Sequence, residues 1–187
     1  MPYDVRSRTD PMRNFKFQVQ IIHPTLQQAV AGMGFMNVAG LNMTTEAIPY
    51  REGGWNTNPH KLPGQTDFGP LTLIQGVMYT VPGMWLMAKN IFSVQWGAGT
   101  LDADTQFRFT TVIRVLDHPI TRGAASGAPA ATQPPDGARL AFVCYNCWVG
   151  SVAYNDLDAM GNAVLIAQMT MHHEGFDVLY GQDAVAA

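Results

Sequence analysis

The sequence predicts a mainly β domain of antiparallel strands, with one short helix and a long hairpin arm that protrudes from the body. Three observations predict it. Several runs carry strand character, one of them alternating cleanly between apolar and polar side chains, and Gly, Pro and Asn separate them. A single stretch, Pro82 to Phe92, switches to helical spacing. Residues 51–64 are rich in Gly, Asn and Pro between two strand-like runs, and a connection of about a dozen residues is too long for a tight hairpin turn.

The first strand is Arg13 to Ile21, where Phe15, Phe17, Val19 and Ile21 share one face and Asn14, Lys16, Gln18 and Gln20 the other. His23-Pro24 ends it, and residues 25–32 form a helical turn or loop. Met36 to Tyr50 reads as a second strand and Phe68 to Val77 as a third, with the arm between them. The helix over Pro82 to Phe92 places Trp85, Leu86, Ala88, Lys89 and Phe92 at amphipathic spacings, and Pro82 is tolerated in its first turn. Such a helix is expected to cover an open end or side of the strands. Phe107 to Asp117 resumes strand alternation. Residues 122–137, small and proline-rich, bury almost nothing and are expected to form a flexible insertion.

Leu140 to Tyr154 is the longest strand-like run, followed by a hairpin connection at Asn155 to Asn162. The closing strand, Ala163 to Phe176, has Val164 and Ile166 in one phase and Met169 and Met171 in the other, which predicts a β-bulge near Ala167-Gln168.

At 187 residues and 47% hydrophobic, the chain suffices for one core. A single domain at 13–180 is expected, between a leader at 1–12 and a tail at 181–187. Net charge is −3 and the charged fraction is 13%, about half the usual share of a soluble domain. Such a surface is either covered by neighbours or belongs to a protein with a large core. A Lys/Arg stripe is missing, which argues against a dedicated reader of nucleic acid. With no run of about 18 apolar residues and no apolar segment near the N-terminus, neither membrane anchoring nor export is expected, and the product stays in the cytosol where it is made.

Candidate chemistry is sparse. His172, His173 and Glu174 invite a metal site, but adjacent strand residues face opposite sides and no third ligand stands at a partner spacing. Asp102, Asp104, Asp156 and Asp158 sit in turns, where short carboxylates bond their own backbone. Cys144 and Cys147, three apart in a strand, point to opposite faces and share no metal or bridge unless the strand breaks, so they are read as structural thiols. Neither a nucleophile motif nor a phosphate loop appears. The expectation is a protein without catalytic residues, metal or cofactor. The 11 methionines read as adaptable core filling, with some at contacts that flex. The arm is the better candidate site: Arg51, Glu52 and Lys61 supply both charges, and Tyr50, Trp55 and Leu62 supply apolar anchors, a mix suited to a protein contact of fixed register.

Ordered blocks of the chain resemble the tail tube proteins of contractile phages and related injection systems. The arm block is Tyr50-Arg51-Glu52-Gly53-Gly54, then Lys61-Leu62-Pro63-Gly64, then Phe68-Gly69-Pro70-Leu71-Thr72-Leu73. Before it stand Asp10, Pro11, Arg13, Asn14 and Phe15, then Gly34, Phe35, Val38, Gly40 and Leu41. The closing blocks are Leu157, Asp158, Gly161 and Asn162, then His173, Glu174 and Gly175. The insertion at 122–137 departs from the family pattern.

The resemblance implies a non-enzymatic antiparallel β-sandwich or barrel with one helix. It also implies hexameric rings stacked into a hollow tube inside a contractile sheath, in a phage tail assembled in the host bacterial cytoplasm. Partners on this reading are other copies, the sheath protein, the tape-measure protein and the baseplate or tail terminator. DNA or effector cargo passes through the lumen without specific binding. Thr44 and Glu46 are expected to approach that lumen, and the arm to lock the stack. A tube initiator or secretion-system tube protein, and a barrel that binds a small apolar ligand, are the alternatives.

Overall fold

The computed structural model describes residues 14–24, 26, 33–54, 57–77, 82–95, 107–116, 138–160 and 162–180. The leader at 1–12, most of the 25–32 segment, the insertion at 122–137, the tail at 181–187, Trp55 and Gly161 lie outside them. The described chain is mainly β, with antiparallel strands and one helix.

Among the described residues nine strands follow in order: β1 (Phe17–Ile22), β2 (Asn37–Ala39), β3 (Met43–Tyr50), β4 (His60–Phe68), β5 (Leu71–Gly76), β6 (Phe109–Leu116), β7 (Ala138–Tyr154), β8 (Ile166–His172) and β9 (Gly175–Tyr180). The helix α1 (Gly83–Gln95) lies between β5 and β6. Six strands form one path, β1-β6-β7-β8-β5-β2, and a seventh, β9, is added to the side of β7. Among the described strands β3 and β4 pair only with each other.

The 17-residue β7 belongs to two sheets. Its first part, Leu140 to Tyr145, runs between β6 and β9, and its second, Trp148 to Tyr154, pairs with β8. The change happens at Asn146, whose φ of 51° is reached most readily by Asn and Gly. An extra residue in one strand bends it and re-aims the side chains that follow. The result is a sandwich, not a closed barrel, because β1 and β2 end the path without pairing to each other.

The core fills the space between the layers. Leu71, Leu73, Met169 and Met171 come from the β5–β8 pair, Ile21, Phe109 and Ile113 from the other layer, and Met84 and Met87 from α1. The strict alternation of β5 and β8 puts these side chains on one face. On the helix the buried stripe is Met84, Met87, Ala88 and Ile91, while Trp85, Lys89 and Phe92 face outward. A second cluster, Val112, Ala141 and Val143 with Leu179, lies on the other face of the β6–β7 layer.

Several expectations are corrected. Phe15 is exposed in a turn ahead of β1, so the alternation begins at Phe17. Met36 to Tyr50 is two strands, broken at Gly40 where φ is +100°. His60 to Phe68, read as connection and strand start, is all strand. The bulge near Ala167-Gln168 is absent, since β8 holds an unbroken register against both β5 and β7 there. Residues 163–165 precede the strand, which removes Val164 from the phase count. The irregularity falls instead at Gly150 of β7, and the closing run is two strands, β8 and β9, parted at His173-Glu174. Finally, the break at Asn146 turns both thiols to one side: Cys144 and Cys147 are both fully buried in the same core, and the Cys147 thiol donates to the Cys144 carbonyl at 3.4 Å. The Cys147 thiol alongside, together with burial, pushes the Cys144 thiol far above its usual range.

Candidate assembly surface

The arm is the β3–β4 hairpin, longer than the connection read from sequence. Register pairs Met43 with Phe68, Thr44 with Asp67 and Thr45 with Thr66, then resumes at Ala47 with Pro63, Ile48 with Leu62, Pro49 with Lys61 and Tyr50 with His60. Gly64 and Gln65 together therefore oppose Glu46, a bulge on β4. Gly64 suits it because a Cβ there would press on the Glu46 carbonyl oxygen at 3.1 Å and on Ile48 at 3.2 Å.

Alternation gives the arm two faces. One carries Thr44, Glu46, Ile48 and Tyr50 with Asp67, Leu62 and His60. The other carries Met43, Thr45, Ala47 and Pro49 with Phe68, Thr66, Pro63 and Lys61, tied by a 3.0 Å hydrogen bond between the Thr45 and Thr66 hydroxyls. Every residue of β3 is exposed, including Ile48 at 48% and Tyr50 at 53%, and Leu62 across the hairpin is 53% exposed. An isolated two-stranded hairpin is marginal in water. Arg51, Glu52, Gly53 and Gly54 lead away from Tyr50 at the tip, with Gly54 at φ +95°. Structure thus brings Tyr50, Leu62 and Ile48 together, and sets Thr44 and Glu46 on that same face nearer the body.

The root of the arm is closely fitted. A Cβ at Gly40, where φ is +100°, would collide with the Pro70 carbonyl, a place only glycine fits, and one at Gly69 would displace the Asn42 side chain, so the two chains leave the body through a close crossing. Phe68 then packs its ring 5.8 Å from both His173 and Phe176, and Phe176 meets Phe142 edge-on at 6.4 Å. Next to this cluster, Glu174 accepts hydrogen bonds from the Asn146 amide at 2.7 Å and from the Arg108 guanidinium, which also forms an ion pair with it. The Asn146 amide, then Arg108, hold the Glu174 carboxyl below its usual range. Tyr145 donates to Asp177 at 2.9 Å, which raises the phenol.

The His-Glu-Gly block is thus a corner joint. His172 stacks on Trp148 at 4.7 Å over the space that Gly150 leaves, and His173 lies buried on the opposite side against Phe68. No cluster of three or more metal-ligating side chains occurs among the described residues. Nor is any described helix long and apolar enough to cross a membrane. Sequence reasoning missed Asn146, Arg108 and the Phe68 cluster, because their partners lie far apart in the chain; the only local signal was Asn in the middle of a strand-like run.

A sequence profile of the family "T4-like virus tail tube protein gp19" matches residues 13–177. Among solved structures, the fold resembles a chain of the six-fold symmetrised cryo-EM structure of the anti-feeding prophage baseplate, with a TM-score of 0.67 and 20% identity over 93% of this chain and 99% of that one. It also resembles a chain of the PVC extracellular contractile injection system, in its sheath–tube complex in the extended state, with a TM-score of 0.65 and 17% identity over 93% of this chain and 95% of that one. A chain of the PVC sheath/tube terminator gives a TM-score of 0.64 at 18% identity, covering 92% of this chain and 99% of that one. No curated protein matches by sequence.

Proposed function

The chain belongs to the T4-like virus tail tube protein gp19 family, and from that premise we propose that it assembles into six-membered rings which stack into a hollow tube, through which DNA or effector cargo passes. It acts as one domain and catalyses nothing. The observation that carries this reading is the arm, a hairpin exposed along the whole of β3 and paired with no other described strand of its own chain. Its apolar tip, Tyr50 and Leu62 with Ile48, is exposed among the described residues and suits burial against another molecule. Trp55 and the Arg51, Glu52, Gly53, Gly54, Lys61, Pro63 and Gly64 positions belong to the same contact.

Edge strands support the ring. β1, β2 and β9 each pair on one side only among the described strands, and a closed ring of copies satisfies such edges. The six-fold symmetry named for the baseplate structure supports the number six. Thr44 and Glu46, exposed and polar beside Asp67, suit a lumen wall that repels a polyanion and lets it slide. A sheath protein outside, a tape-measure protein inside and a baseplate or terminator at the ends complete the particle, which is assembled in the bacterial host.

Removing residues 47–63 tests the reading, because Ala47 and Pro63 are paired and the root below them stays intact. Electron microscopy of the purified intact protein should show tubes, and the shortened protein should remain folded by circular dichroism yet form none. Tubes of ordinary length from the shortened protein would overturn the role of the arm.

A further inference from the structure

The arm and the β7–β8 connection stand at opposite ends of the same sheet. β5 begins at Leu71, two residues after the arm, paired with Met171 near the corner; it ends at Gly76, paired with Ile166, where the connection returns. The 6 residues of β5 put roughly 20 Å between these ends, and the 8 residues of β3 make the arm roughly 25 Å long. The connection carries the three most exposed large apolar side chains of the described chain: Leu157 is 85% exposed, Met160 97% and Val164 72%. Its shape is held. The Asn155 amide donates to the Val164 carbonyl at 3.3 Å and accepts from the Ile166 N–H at 2.8 Å, while Asp158 accepts from the Met160 N–H at 2.9 Å.

We propose that this connection, residues 155–160 and 162–165, is the receptor for the arm of a second copy in the next ring. This deepens the tube reading and rests on it. Chemistry matches on three counts. The apolar tip of the arm, Ile48, Tyr50 and Leu62, meets Leu157, Met160 and Val164, and an open cavity of about 350 Å³ lined by Leu157, Ala159, Ala163 and Leu165 has room for a large side chain. Arg51 follows Tyr50 directly at the end of β3, whereas Asp156 and Asp158 line the cavity, so a cation on the arm meets carboxylates on the loop. Pro49 and Pro63 interrupt the donor rows of both arm strands, which disfavours docking by strand addition and favours docking through side chains. A held loop loses little freedom on binding. The arm, exposed throughout and rooted at the far end, engages the loop of another copy, and such a head-to-tail contact propagates without closing.

Three measurements on the full chain test the proposal. Leu62→Asp and Met160→Asp should each leave circular dichroism unchanged while raising the protein concentration needed for tubes by roughly tenfold or more. Leu62→Cys copies mixed with Met160→Cys copies should give a covalent dimer when the assembled tubes are treated with a bismaleimide. Cys144 and Cys147, fully buried, do not compete. If intact protein forms tubes but Met160→Asp assembles at the ordinary concentration, or the mixed tubes give no cross-link, the loop is not the receptor and the tube reading stands. If intact protein forms no tubes at all, both fail.

Discussion

Glu174 shows how one side chain joins distant parts of the chain. Its side chain is about half exposed, yet it bridges the bend of β7 at Asn146 to Arg108 just ahead of β6. The Asn146 amide is the main cause of its lowered pKa and Arg108 the next, so the ionised form is favoured by folding. A carboxyl whose folded pKa is depressed adds stability above its unfolded value and loses it as pH falls through the folded one. Glu174→Gln should therefore lower the melting temperature at neutral pH, and its curve should meet that of the unsubstituted protein in acid, below the folded pKa. Scanning calorimetry across that range checks this, and parallel curves would show that ionisation is not what matters. None of this was legible locally, although His173, Glu174 and Gly175 stood out as a block. The cysteines teach the same lesson: strand geometry alone put the thiols on opposite faces, and the left-handed backbone of one intervening Asn reversed it.

Strands whose alternation is continuous, β1 beyond Phe15 and β5, were legible because a half-buried strand needs one apolar face, whereas β6 is buried on both faces. The hairpin was legible only in part. Pro63 and Gly64 look like punctuation, but an edge tolerates proline and a bulge favours glycine, so β4 runs through both. The phase slip assigned to β8 came from counting Val164 as strand. At the root, Gly40 had a visible place in the family block, and the structure supplies its reason: φ of +100° and the Pro70 carbonyl in the position of a Cβ. Gly40→Ala should cost about 1–3 kcal/mol from backbone strain, with further loss if Pro70 shifts. Denaturant unfolding at constant m reads it as a lower midpoint. An unchanged midpoint would mean that the crossing relaxes freely.

For the whole molecule, the poverty of charge has its counterpart in apolar side chains that remain in water at both ends of one sheet, on the arm and on the β7–β8 loop. Two different surfaces at two different ends make every copy a polar building block. On the proposed docking, a copy without residues 47–63 keeps its loop and should still accept the arm of a neighbour, but offers none of its own. It should therefore cap one end of a growing tube, and only one. Added at a few per cent to intact protein, it should shorten tubes far more than it lowers the total assembled mass, as negative-stain length distributions would show. An arm that met another arm across a two-fold axis would leave the shortened copy with nothing to bind, and lengths would not change. The dose response thus separates a head-to-tail stack from a symmetric one without any high-resolution view of the contact.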